Sequence, residues 1–250
     1  ILRLKDLHSI ALPLIIATPE FVRKAYEVQD AWSFSFYGAM GTVLVLALFV
    51  SQITGWRPTA AFAGYMVSAT LYIAAAEGYL FQFVLPHAQD WAVRISLNLI
   101  APVFCAVLVF GRVLFGFEDV SKVYRVVLDG MIGLLLVVWI LGSSVPAFDG
   151  SVLFDQVFYL TCALAILLHV TNGALAVRLQ KKGSLPFFIS GLAMAFSIPL
   201  LELFDWLTPA GYLVPDNAIP LYRCLFIVEA TAFAATMVIR VFAMKRERDL

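Results

Sequence analysis

The chain has 250 residues, of which 62% are hydrophobic and 14% charged, with a mean hydropathy of +0.92. A soluble globule carries roughly 45–50% apolar and about 25% charged residues, so that class is excluded, as are disordered and collagen-like chains. The 17 basic and 17 acidic residues cancel, which leaves no footprint for binding nucleic acid. A spanning helix needs about 20 mostly apolar residues. The composition therefore predicts a mostly intramembrane protein whose main partner is the lipid bilayer.

In chain order, the first 30 residues are the least membrane-like. Leu2-Arg3-Leu4-Lys5 alternates apolar and polar, and Leu12–Thr18 is a short apolar run, so both suit β-strands. Two strands bury no core of their own. They read either as an irregular arm or as the closing strands of an outside domain. Six charge-free stretches follow: Ala31–Trp56, Pro58–Ala76, Ile95–Gly111, Gly130–Phe148, Gln156–Val177 and Gly183–Leu201. A seventh, about 218–239, carries Arg223 and Glu229. The predicted helices lie near 34–54, 60–84, 92–115, 126–146, 153–178, 185–207 and 218–243. Short turns such as Gly55-Trp56-Arg57-Pro58 and Lys181-Lys182-Gly183-Ser184 make neighbours antiparallel. The expected fold is an all-α membrane protein, a seven-helix up-down bundle with a short β segment at its N-terminus.

Basic residues set the expected orientation. Arg57, Arg112, Lys122, Arg125, Arg178, Lys181, Lys182, Arg240, Lys245, Arg246 and Arg248 fall on one set of helix ends. That side is read as cytoplasmic, with the C-terminus on it and the N-terminus outside. Trp32, Trp91 and Trp206 fall at the expected outer boundary, where amphipathic rings favour the interface. The final run, Arg240 to Leu250, has strong helix formers and no terminating Gly, Asn or Pro. It reads either as a marker of the inner surface or as the start of a helix, from about 244, entering a cytoplasmic module.

An ionisable side chain at membrane depth costs roughly 2.5–3.5 kcal/mol on insertion scales unless it is paired or hydrated. Glu77, Arg94, Asn98, Glu202, Asp205 and Arg223 fall in the outer half of the spans, and Glu229 near the middle. Arg94 and Asn98 are four apart and Glu202 and Asp205 three apart, so each pair shares a helix face. An ion-paired network inside the bundle is expected. It either locks the helices together or forms a polar cavity for a ligand or signal. Asp129 reads as interfacial, and His169 and Asn172, three apart, are placed to pair with each other. Ala60, Gly64 and Ser68 recur every four residues, as do Gly191 and Ala195, which suits close helix approach. Pro102, Pro199 and Pro220 are candidates for kinks.

Catalytic and metal signatures are missing from the sequence. Cys105, Cys162 and Cys224 all fall within spans and fit no disulfide framework or metal spacing. There is no HExxH, Walker loop or GxSxG, and no lysine in the last span for a retinal Schiff base. No catalytic residue, metal or cofactor is expected, and the segment is read as non-enzymatic.

Several short segments bear a family likeness. They are Phe36-Tyr37-Gly38, the run from Gly78 through Tyr79, Leu80, Phe81, Gln82, Phe83, Val84 and Leu85 to Pro86, and Phe110-Gly111-Arg112-Val113-Leu114-Phe115. Glu229, Arg240 and Glu247 complete the set. In that order the chain, over about residues 30–250, resembles the bacterial seven-transmembrane receptors with diverse intracellular signalling modules. Leu85 departs from the pattern, since many relatives carry an aromatic before that proline. The resemblance implies an inner-membrane receptor with a periplasmic sensory domain, often a carbohydrate-binding-like jelly roll, ending in residues 1–30. It implies a seven-helix domain over 31–243, and from 244 a cytoplasmic output: histidine kinase, diguanylate cyclase, adenylyl cyclase or phosphatase. A periplasmic small-molecule ligand and a homodimer are further implications. The alternative reading is a small-solute or ion transporter running through the charged network.

Overall fold

The computed structural model describes residues 19–86, 98–117, 120–145, 151–207 and 218–248. The strands expected before position 19 lie outside the described residues, and so do Arg94, Trp91 and the side chains of Glu202, Asp205 and Trp206. Among the described residues there is no strand. Seven α-helices are described among these residues: α1 Pro19–Thr54, α2 Trp56–Ala76, α3 Ile100–Phe115, α4 Lys122–Ser144, α5 Val152–Arg178, α6 Ser184–Leu207 and α7 Ala218–Arg248. Five have a segment long and apolar enough to cross a membrane: Asp30–Val50, Trp56–Ala76, Lys122–Ser144, Val152–Arg178 and Arg223–Ala243. Two shorter apolar helical segments, Ile100–Phe115 and Ser184–Ser197, accompany them.

Helix α1 starts well ahead of the expected position 34, and residues 19–30 are helical. Pro19 opens it, where a fixed φ and a missing N–H are harmless, and Glu20 favours the positive end of the helix dipole. Glu20–Lys24 at 3.3 Å and Arg23–Glu27 at 3.7 Å add exposed i,i+4 support. Together these features extend the helix ahead of its apolar span.

The expected continuous helix over 60–84 is broken. Helix α2 ends at Glu77, whose N–H donates to Ile73 O at 2.9 Å, and Gly78 follows at φ +82°. A glycine in the left-handed region is a standard helix stop. The chain then makes one π-helical turn, Leu80–Val84, closed by Leu85 N–H to Leu80 O at 2.9 Å. One of the three expected kinks is absent. Pro220 sits in the first turn of α7, where no intrahelical N–H is needed, whereas Pro102 follows a turn at Leu99 that separates helical Asn98 from α3.

Each helix packs on its sequence neighbour, and α7 returns to lie against α1, closing a ring; α2 also reaches α7 and α3 reaches α5. Eleven of the 17 basic residues lie at the α1–α2, α3–α4 and α5–α6 turns and towards the end of α7. Gly64, in the small-residue stripe of α2, makes no close approach: a Cβ there would meet nothing within 4 Å. Close approach occurs in the α5–α6 hairpin. A Cβ on Gly173 would lie 2.7 Å from Phe188 Cα, and one on Gly191 would lie 3.0 Å from His169 Cδ2.

Candidate functional site

The polar side chains inside the bundle form two groups at different depths. The first surrounds the break after α2. Arg223, in the second turn of α7, donates from Nε to Glu77 Oε1 at 2.6 Å and from Nη2 to the same carboxylate. Its Nη2 also donates to Ser33 Oγ on α1 at 2.8 Å. Tyr37, one turn on, donates its hydroxyl to Glu77 Oε2 at 3.1 Å. The side chains of Arg223 and Glu77 are 5% and 0% exposed, so the pair is shut away from solvent and lipid. The Tyr37 ring meets Tyr79 edge-on at 6.3 Å, and Tyr79 in turn donates to Asp30 Oδ1 at 2.9 Å on the exposed side. One carboxylate at a helix terminus thus joins α1, α2 and α7.

The second group lies six residues further along α7, about 9 Å at 1.5 Å per residue. Tyr65 of α2 donates to Glu229 Oε2 at 2.9 Å. Glu229 Oε1 stands 3.6 Å from His169 Nε2 of α5, and Ser190 Oγ of α6 stands 3.4 Å from the same nitrogen. Aromatic rings enclose these groups. His169 meets Phe187 edge-on at 4.5 Å, and Phe233 stacks on Phe110 at 4.7 Å and meets Tyr65 at 5.0 Å. Among the described residues, His169 Nδ1 and Glu229 Oε1 have no hydrogen-bond partner.

Of the seven residues singled out from sequence, the fold joins Glu77 to Arg223 and sets Glu229 apart from them. Asn98 is buried elsewhere, its Oδ1 2.7 Å from where a Cβ on Gly142 would stand. Arg94, and the side chains of Glu202 and Asp205, lie outside the described residues. His169 and Asn172 do not pair with each other. His169 turns to α6 and α7, whereas Asn172 accepts from Tyr124 of α4. Residues three apart on one helix share a face, but each here meets a different neighbour. Asp129 pairs with Arg112 across α3 and α4, both side chains about half exposed.

Ser33, Tyr37, Tyr65 and Tyr124 do not stand out in the sequence, and Ser190, which shows no His or Lys partner there, lies beside His169 in the fold. Their hydroxyls are embedded in apolar runs, where Ser and Tyr pass as ordinary packing residues. The Tyr-Gly pair at Tyr37-Gly38 was a signal, read there only as likeness. Among the described residues, no cluster of three or more His, Cys, Asp or Glu is placed to hold a metal ion.

These helices match a known pattern. A family model described as 7TM diverse intracellular signalling covers residues 29–240. The chain belongs to that family. It is a membrane sensory receptor domain and a multi-pass membrane protein, and its apolar helices agree with that. No curated protein and no solved structure matches it. Within this receptor domain, the Phe36-Tyr37-Gly38 and Gly78–Pro86 segments meet at the Glu77–Arg223 group.

Proposed function

We propose that this domain is the seven-crossing core of a bacterial inner-membrane receptor, with its N-terminus periplasmic and its C-terminus cytoplasmic. It relays a periplasmic signal through α7 to a cytoplasmic histidine kinase, diguanylate cyclase, adenylyl cyclase or phosphatase, and catalyses nothing itself. Residues 1–30 close a periplasmic sensory domain that takes a small ligand, carbohydrate-like by family resemblance, and the receptor works as a homodimer. The sequence supports the orientation through eleven basic residues on one set of helix ends.

The observation that carries the reading is the clasp on α7. Arg223 is gripped by Glu77 and Ser33 from two other helices, and from there α7 runs unbroken to Arg248. A helix held at one end by charge and continuous to the other transmits any change in that grip. A buried ion pair is costly to break from one side only, so a signal that opens the clasp has to overcome a large, localised cost.

The reading is tested by the output of the receptor expressed from its natural gene, per folded molecule. Glu77→Gln, which removes the charge and keeps the shape, is expected to shift basal output at least several-fold. Unchanged output in Glu77→Gln and in Arg223→Gln, with both variants folded, overturns the relay. So does a gene that encodes no signalling module after Leu250.

A further inference from the structure

Helix α7 carries a third, different contact, about midway between the clasp and its C-terminal end. The turn between α5 and α6 ends in Gly183 at φ +78°, following Gln180 at φ +51°. A Cβ on Gly183 would lie 2.6 Å from the backbone oxygen of Thr236 and 3.2 Å from its Cγ2. Backbone therefore rests on backbone, and Thr236 is fully buried. The turn itself is tied back to α5: Lys181 N–H donates to Ala176 O at 3.0 Å and Gln180 N–H to Val177 O at 2.9 Å. Behind it the α5–α6 hairpin is closed by the Gly173–Phe188 and Gly191–His169 approaches. This contact has no side-chain rotamer to change. The clasp at Arg223, by contrast, is made by the ends of long side chains.

The geometry points to α7 working as a lever that pivots on Gly183 at Thr236. The inference rests on the relay reading and adds the form of the movement. Arg223 lies 13 residues before the pivot and Arg248 lies 12 after it, arms of about 20 and 18 Å at 1.5 Å per residue. Near-equal arms carry a sideways displacement at the clasp to the tail at about full size and in the opposite direction. Glu229, midway between clasp and pivot, moves about half as far, which its single bond to Tyr65 accommodates more readily than a full displacement. A piston is disfavoured because sliding α7 along its axis would shear Thr236 past a turn that touches its backbone.

The test uses the whole chain in lipid nanodiscs, with pairs of spin labels. One label sits on Cys224, a native and exposed cysteine beside the clasp. Another goes in through Arg246→Cys near the tail, and the reference through Val127→Cys on α4, with Cys105 and Cys162 changed to Ala. The lever predicts that Glu77→Gln changes the 127–224 and 127–246 distances with opposite sign. The two labels lie about 18 and 15 Å from the pivot, so the tail shift is about four-fifths of the other. Changes of the same sign overturn the lever and leave the relay standing. No change at either label overturns the clasp, and with it the relay. Gly183→Ala is expected to push α7 away at the pivot, moving both labels in one direction. If that variant does not fold, the Glu77→Gln distances decide alone.

Discussion

The two polar groups on α7 hold the same helix by different physics. At the Arg223 end a full ionic pair is matched: Arg223 has a carboxylate and a hydroxyl, and both oxygens of Glu77 accept. At mid-helix, Glu229 has one hydrogen bond, from Tyr65, and the rest of its surroundings are aromatic rings and the edge of His169. The first group depends on charge and on three elements being in register. The second depends on packing, with few hydrogen bonds inside it. Buried pairs are expensive to break one-sidedly, whereas hydrogen bonds between helices in a membrane contribute little each. The first is therefore suited to switching, and the second, with one hydrogen bond to Glu229, to yielding when the first changes.

That contrast can be broken from either side. The largest effect is expected from Glu77→Ala, which leaves the Arg223 guanidinium buried without its counter-charge. The loss should be about 3–5 kcal/mol, read from unfolding in detergent micelles with added SDS. Recovery of most of that stability in the Glu77→Ala/Arg223→Leu double variant would show that the stranded charge, and not a lost contact, was the cause. Next comes Gly191→Val, which drives two methyl groups toward a ring already 3.0 Å from a Cβ position. Overpacking of this kind costs about 1–3 kcal/mol. It should leave the distance between Ser33 and Arg223 unchanged.

Tyr65→Phe removes the one hydrogen bond of Glu229 and should cost about 0.6–1.7 kcal/mol, well below the Glu77 variant. If it costs as much as Glu77→Ala, the two groups are not different in kind. The smallest effect is expected from Tyr79→Phe. Its bond to Asp30 is exposed, and its loss should lie within about 0.5 kcal/mol of zero in the same assay.

The helical layout was legible because charge is costly in lipid, so stretches without Asp, Glu, Lys or Arg mark where helices lie. Glu77 and Arg223 stood out for the same reason. What the sequence hid was geometry set by neighbours. An apolar aromatic run after Gly78 looks like continued helix, since hydropathy does not distinguish an α-turn from a π-turn; the glycine was the available clue. Pro220 looked like a kink although the helix expected from 218 already placed it in a first turn, where a proline is harmless. The His169–Asn172 expectation failed because face-sharing on one helix does not say which other helix supplies the partner. Small residues behaved likewise: Gly64 faces outward and Gly191 inward, though their spacing patterns are alike.

The most direct test of α7 as the relay is a charge-swap cycle in the receptor carrying its natural output, measured per folded molecule. The account predicts that Glu77→Arg alone and Arg223→Glu alone each displace basal output, and that the two together return it toward the wild-type level. A double variant no closer to wild type than the worse single variant would contradict it, as would single variants that fold and leave output untouched.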